Sequence, residues 1–518
     1  MNCKESAEAI VPKNVPMEVL GRAERQFTAR RGWKGKDEMT SQRKRLRNYL
    51  QANGLEVRYT EGSDGFILHE TWGELGKPDL MDRVLDKENF DKAVQRVVAN
   101  GGAPGTDGVS VSELPKFVEE HWKEIHDQLR SGRYKPSPVR RVVIPKPDGG
   151  ERDLGVPNVL DRAVQQAIAQ VLVPVYEPKF SDSSFGFRPN RSAHQAVTKL
   201  LNDYTEGYTW AVDIDLSKYF DTLNHELLMN IIRRDVKDET ILVTIKRFLK
   251  SGVMVDGLLQ ATDQGSPQGG PLSPLLANIY LNEFDDILEE RGMRFCRYAD
   301  DITILVRSRK AAERVMSSSV KFLEGKLKLR VNQDKSTVAK ATEIKYLGFT
   351  IHDITGRNGL RRVGISIHKK PITRFRDKVK QILNENSNWT VAQCMAVFGS
   401  YARGWLSYFG LSSSKRQIVA LAQWARRKLR AKIWHQWKKP RNRFKKLMAI
   451  RPNKLHVASC LVYARAHGTW HMSAYRPLQA IMSNKYLESL GFPPMLEMYE
   501  EIHSRLTNRR IREVRTVV

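Results

Sequence analysis

The chain has 518 residues, long for a single core, and its 41% hydrophobic and 28% charged residues exclude extended disorder. Its 86 Lys+Arg against 58 Asp+Glu leave a net charge of +28, which points to a polyanion, nucleic acid first, without separating an enzyme from a binding protein. Four cysteines without a C-x-x-C pair support neither a disulfide framework nor a Cys-based zinc site, and no run approaches the ~18 apolar residues of a membrane span, so a soluble, cytoplasmic chain is expected.

Residues 1–80 are polar and mixed in charge, an N-terminal extension to which no role is assigned. In NFDKAVQRVVAN, Phe90, Val94, Val97 and Val98 are spaced to share one helix face, and GGAPGTDG at 101–108 breaks that helix. From 140 to 350 short β-rich runs alternate with helical ones. This is the texture of an α+β domain on an antiparallel sheet, with VRRVVIPKP, YTWAVDIDL, FCRYADDITILV and IKYLGFTI as strands. After about 365 the pattern turns helical: Ile372, Phe375, Val379 and Ile382 recur at helix spacing, as do Ile418, Leu421, Ala425 and Leu429. A domain boundary is therefore placed near 365.

No Asp or Glu occurs between Glu385 and Glu488, whereas KRQIVALAQWARRKLRAKIWHQWKKPRNRFKK is dense in Lys and Arg. Solvated surfaces normally mix both signs, so this stretch is read as a nucleic-acid face, with Arg426, Arg427, Lys428 and Arg430 as RNA-binding candidates. The interleaved Trp405, Trp424, Trp434 and Trp437 fall at helical spacing and are read as core rather than as base-stacking platforms. A nuclease needs clustered carboxylates, and none can lie in this stretch.

Tyr298-Ala299-Asp300-Asp301 lies between two β-patterned runs, as the acidic turn of a hairpin. Adjacent carboxylates repel unless a cation sits between them, although an acidic hairpin tip would also read this way. In Trp210–Leu216 apolar and acidic residues alternate with period two, placing Asp213 and Asp215 on one strand face. A further carboxylate from this strand could complete a two-metal site for nucleotidyl transfer.

DLSKYFD at 215–221, SPQGGPLSP at 266–274, YADD at 298–301, LRVNQDKS at 329–336 and KYLGF at 345–349 resemble, in order, the successive motifs of reverse transcriptases. GGAPGTDGVSVSEL at 101–114, FSDSSFGFRPNRSAHQAV at 180–197 and FGSYARGWLSYFG at 398–410 narrow the resemblance to the bacterial proteins encoded in group II introns. It spans roughly residues 80–450. The resemblance makes Asp215, Asp300 and Asp301 the catalytic metal-binding triad, with the Leu216 backbone also near a metal, and leaves Asp213 open. It places Phe220 against the ribose 2′ position and Gln268 in the nucleotide pocket, with Gly269-Gly270 allowing close backbone approach. Lys335 falls near the triphosphate, and Tyr346-Leu347-Gly348 in a primer grip. Lys146 and Arg152, in IPKPDGGERDLG, inherit the fingers' clamp on the triphosphate, although PDGG is also an ordinary hairpin turn.

The implied fold is a right-hand polymerase: fingers and palm at 81–365, an antiparallel sheet plus helices, then an α-helical thumb/maturase domain at 366–450 and a basic region at 451–518 as a candidate for DNA binding. The implied activity is an RNA-directed DNA polymerase using two Mg²⁺ ions. It would copy group II intron RNA during retrohoming, assist splicing, and act on deoxynucleoside triphosphates, a DNA primer and target DNA at the bacterial nucleoid. The zinc-associated H-N-H endonuclease of some relatives is expected to be absent. The rivals are a domesticated relative serving repair or defence, and an RNA-binding maturase without polymerase activity.

Overall fold

In the computed structural model of the chain, the described residues are 60–62, 65–67, 79–145, 150–255, 258–260, 265, 269–355, 359, 361–385 and 389–515. They form two compact units: the chain up to Leu200 with Trp210–Val338, and Leu201–Thr209 with the chain from Ala339 onward. The packing therefore changes ahead of residue 365, where the helical texture begins.

The first unit carries, in chain order, β1 (Val139–Pro145), β2 (Glu151–Val156), helix α1 (Val159–Tyr176), β3 (Trp210–Ile214), β4 (Val253–Val255), β5 (Leu258–Gln260), helix α2 (Ser273–Glu290), β6 (Arg294–Tyr298) and β7 (Asp301–Val306). A further strand, β8 (Thr337–Lys340), leads out of it. One sheet has the order β2-β1-β4-β5, antiparallel except that β1 and β4 run parallel. In the second, β3 pairs with β7 and β7 with β6, antiparallel throughout. Strand β7 reads DITILV and is buried from Ile302 to Val306, because helices cover the sheet: Arg309–Gly325 packs on β3, and α2 on β6. Upstream, helix Lys87–Asn100 buries Phe90, Val94 and Val97, but Val98 stays 37% exposed. At 100° per residue Val98 stands about 80° round from Phe90, at the rim of the face rather than on it.

The second unit opens with the hairpin β9 (Phe349–Thr355) and β10 (Arg361–Ile367), paired from Phe349↔Ile367 to Thr355↔Arg361. Helices α3 (Lys369–Lys380), α4 (Val391–Phe409), α5 (Lys415–Gln436) and α6 (Pro440–Ile450) follow, and shorter helices lead to a last one at Met495–Arg515. The hairpin belongs to this unit because its β10 edge is hydrogen-bonded to the segment entering α5. Gln417 brackets Ile367, accepting from its N–H and donating to its carbonyl at 2.8 Å each, and Ser413 N–H donates to the Ile365 carbonyl at 2.9 Å. Phe375, Val379, Ile382, Ile418, Leu421, Ala425 and Leu429 are buried as their spacing predicts, and so are Trp405 and Trp434. The α+β class, antiparallel strands followed by helices, is as expected. No helix among the described residues is long and apolar enough to cross a membrane.

Candidate active site

Strands β6 and β7 are joined by the two-residue turn Ala299-Asp300: Tyr298 pairs with Asp301, and Ala299 has a φ of +58°. Two-residue hairpin turns take such left-handed geometry because it matches strand twist. On the other side of β7 the ladder with β3 ends at Ile214↔Ile302. One step further along the same register stand Asp215 and Asp301, so Asp215, Asp300 and Asp301 come to one end of the sheet. Asp213 lies one pair back, opposite Thr303, whose hydroxyl donates to its carboxylate at 2.9 Å.

Asp215 is held from behind by the segment 329–336. Its carbonyl accepts from Asn332 N–H at 2.8 Å, and its N–H meets Ser336 Oγ at 3.1 Å. Leu216 forms a bridge with Val331 that is closed by Ser217 N–H and the Asp215 carbonyl, so the Leu216 carbonyl stays outside that ladder. The Lys335 ammonium is 3.8 Å from the Asp215 carboxylate, in a half-open position where solvent screens the pair. Among the described residues no group of three or more His, Cys, Asp or Glu side chains is placed to hold a metal ion. The candidate groups at this end of the sheet, the carboxylates of Asp215, Asp300 and Asp301 and the Leu216 carbonyl, are all hard oxygen, which suits a hard divalent cation.

Beneath the turn lies a fully buried network that sequence reasoning missed. Arg297 and Asp285 are both at 0% side-chain exposure and 2.5 Å apart. Arg297 also donates to Asn278 Oδ1 at 2.9 Å and to the Ala299 carbonyl at 3.2 Å, and Asn278 donates to the Gly186 carbonyl at 2.8 Å. Gly186 lies so close to the turn that a Cβ there would collide with the Ala299 nitrogen. The segment 180–188 is pinned in turn by Arg188, which pairs with buried Glu177 at 2.7 Å and donates to the Ser184 carbonyl at 2.8 Å. One signal was available: on α2, Asp285 falls on the apolar face of Leu281, Phe284 and Leu288, where an acid demands a buried partner.

Phe220 is partly buried, its ring edge-on to Tyr219 at 5.3 Å. Its main chain is crowded by Gly265, where a Cβ would be 2.8 Å from the Phe220 carbonyl. Gly269 and Gly270 do permit close approach, but to the protein itself: a Cβ would meet the Gly155 carbonyl at the first and Gln165 Oε1 at the second. Lys146 and Gln268 lie outside the described residues, and Arg152 stands opposite Ile144 in the β1–β2 ladder. The segment Tyr346–Phe349 is a tight turn with φ +49° at Leu347 and +85° at Gly348, and Tyr408 Oη donates to the Leu347 carbonyl at 2.9 Å.

In the basic stretch the four expected RNA-binding residues all have partners within the protein. Arg430 is 6% exposed and donates to the Met482 carbonyl at 2.9 Å and to Asn484 at 3.2 Å, with burial pulling its pKa down to about 10. This corrects the reading of Arg430 as an RNA-binding residue: α5 is covered on a wide arc, so even Lys432 is buried, with its ammonium on the Leu383 carbonyl at 2.6 Å. Arg427 lies 3.8 Å over the Trp470 ring and Lys428 4.5 Å from it, while Arg426 lies over Phe492 at 5.3 Å. Exposed cations are found instead on α6, at Arg441, Lys445 and Lys446 beside the exposed Phe444, and on α3, at Lys370, Arg374 and Lys378.

Residues 144–351 match the family "Reverse transcriptase (RNA-dependent DNA polymerase)", and residues 372–450 match "Group II intron, maturase-specific domain". Protein YkfC of Escherichia coli (strain K12) is 34% identical over 345 residues, covering 59% of this chain and 91% of its own. Group II intron-encoded protein LtrA of Lactococcus lactis subsp. cremoris is 27% identical over 427 residues, 65% of this chain and 71% of its own. Nuclear intron maturase 2 of Arabidopsis thaliana is 26% identical over 268 residues, 44% of this chain and 35% of its own.

Proposed function

Because the chain belongs to the group II intron family of reverse transcriptases carrying a maturase domain, we propose that it copies group II intron RNA into DNA and assists splicing of that RNA. The observation that carries the polymerase half is the ladder register that sets Asp215 beside Asp301, with Asp300 in the same turn. The reaction joins the 3′ hydroxyl of a DNA primer to the α-phosphorus of a deoxynucleoside triphosphate and releases pyrophosphate. Asp215, Asp300, Asp301 and the Leu216 carbonyl would hold two Mg²⁺ ions, which supply charge neutralisation at the phosphates when bound. Phe220 faces the sugar, and Lys335, with Lys146 and Arg152, meets the triphosphate. Fingers and palm are assigned to 81–365, the thumb/maturase to 366–450, and contact with target DNA to 451–518.

The maturase half rests on the match at 372–450 and on the acid-free, basic stretch that exposes Arg441, Lys445 and Lys446. Sequencing the RNA that copurifies with the chain tests it. Enrichment of a group II intron RNA over total RNA is the expected result, and an unselective pool would overturn this half while leaving the polymerase reading standing.

A further inference from the structure

One residue next to the catalytic turn is placed against its own preferences. Phe187 has a φ of +56° and is 44% exposed. A bulky side chain in the left-handed region is an outlier, and an aromatic ring left in water forgoes its burial. Such strain persists only where the surroundings impose it, and it gathers at functional sites.

The surroundings here impose it from both sides. Gly186 is wedged against the Ala299 nitrogen, and its carbonyl is held by Asn278, which also receives Arg297. Phe185, buried, donates its N–H to the Arg297 carbonyl at 2.9 Å, so the segment is bonded to the strand that runs directly into Tyr298 and the turn. On the other side Arg188 is 3% exposed and locked to Glu177. Between two neighbours bonded into the protein, Phe187 is left exposed.

We infer that Phe187 is a substrate-contacting residue, whose ring packs on a nucleotide of the bound RNA–DNA primer–template beside the Ala299-Asp300 turn. Every base offers a π-face, so such a contact tolerates any sequence, as a polymerase requires. The inference rests on the polymerase reading above and adds a binding residue outside the motifs assigned to the nucleotide.

The test measures binding of a fluorescent DNA primer annealed to an RNA template, without nucleotides, to the full chain and to Phe187→Ala, Phe187→Gly and Phe187→Trp. Base–aromatic stacking of about 1–3 kcal/mol corresponds to roughly a 5- to 150-fold change, so Ala and Gly should weaken binding by about fivefold or more. Trp should stay within about threefold of wild type. Glycine removes the φ penalty along with the ring, so its variant separates contact from strain: it should unfold no earlier than the Ala variant and still bind poorly. A folded Gly variant that binds like wild type would overturn the inference, as would an effect confined to the KM for nucleotides. Extension of the same primer by the wild-type chain tests the polymerase reading separately.

Discussion

The guanidinium of Arg297 is chelated by the carboxylate of Asp285 with neither side chain exposed, and the same guanidinium donates to the carbonyl of Ala299 in the turn that carries Asp300. A buried ion pair adds little net stability over apolar packing, but removing one partner strands the other charge at a cost of about 3–5 kcal/mol. Here the pair also ties down the Ala299-Asp300 turn through the Ala299 carbonyl.

Asp285→Asn should therefore destabilise the chain by several kcal/mol, read as a drop in its urea unfolding midpoint. Arg297→Lys keeps the charge but not the fork that reaches Asn278 and Ala299 at once. It should fold, bind primer–template as wild type does, and lose kcat. A Lys variant with unchanged kcat would make the network a matter of stability alone.

If Phe220 faces the sugar as proposed, Phe220→Ala should admit ribonucleotides by removing the bulk that would meet a 2′ hydroxyl. Competition between ribo- and deoxynucleotides in primer extension reads this directly, and undiminished discrimination in an active variant would move the gate to another residue.

Basic residues of the second unit should separate by burial. Arg441, Lys445 and Lys446, changed together to Gln, should make the salt dependence of RNA binding shallower by roughly 0.7–0.9 per lost phosphate contact. Arg430→Gln should leave that slope unchanged and lower the unfolding temperature, because its partners are Met482 and Asn484. Equal slopes for all variants would deny α6 a place in the RNA interface.

Burial raises the Asp161 carboxyl to about 6, against hydrogen bonds from Tyr134 and Ser137 that pull it down. A raised pKa favours the protonated form in the fold. Asp161 therefore contributes most stability below about pH 4 and loses it as pH rises through about 6, by up to about 3 kcal/mol. Urea unfolding of wild type and Asp161→Asn between pH 4 and 7 should show the wild type's relative stability falling with pH. A constant difference would contradict the shift.

Much of this was legible in the sequence because it is periodic. The alternation in WAVDI marks β3, and Y-A-D-D between β-runs marks the hairpin. Pairings across the fold were not legible: nothing local joins Arg297 to Asp285, or sets Gly186 against Ala299. Arg430 failed for a related reason, since a helix covered by a second layer buries residues beyond its apolar stripe.

The most direct test of the polymerase claim is extension of a DNA primer on an RNA template with deoxynucleotides and Mg²⁺, by wild type, Asp300→Ala and Asp301→Ala. Wild type should extend the primer to the template's end, and each variant should lose extension by orders of magnitude while retaining RNA binding. Variants extending within a few fold of wild type would contradict the assignment of this turn as the catalytic centre.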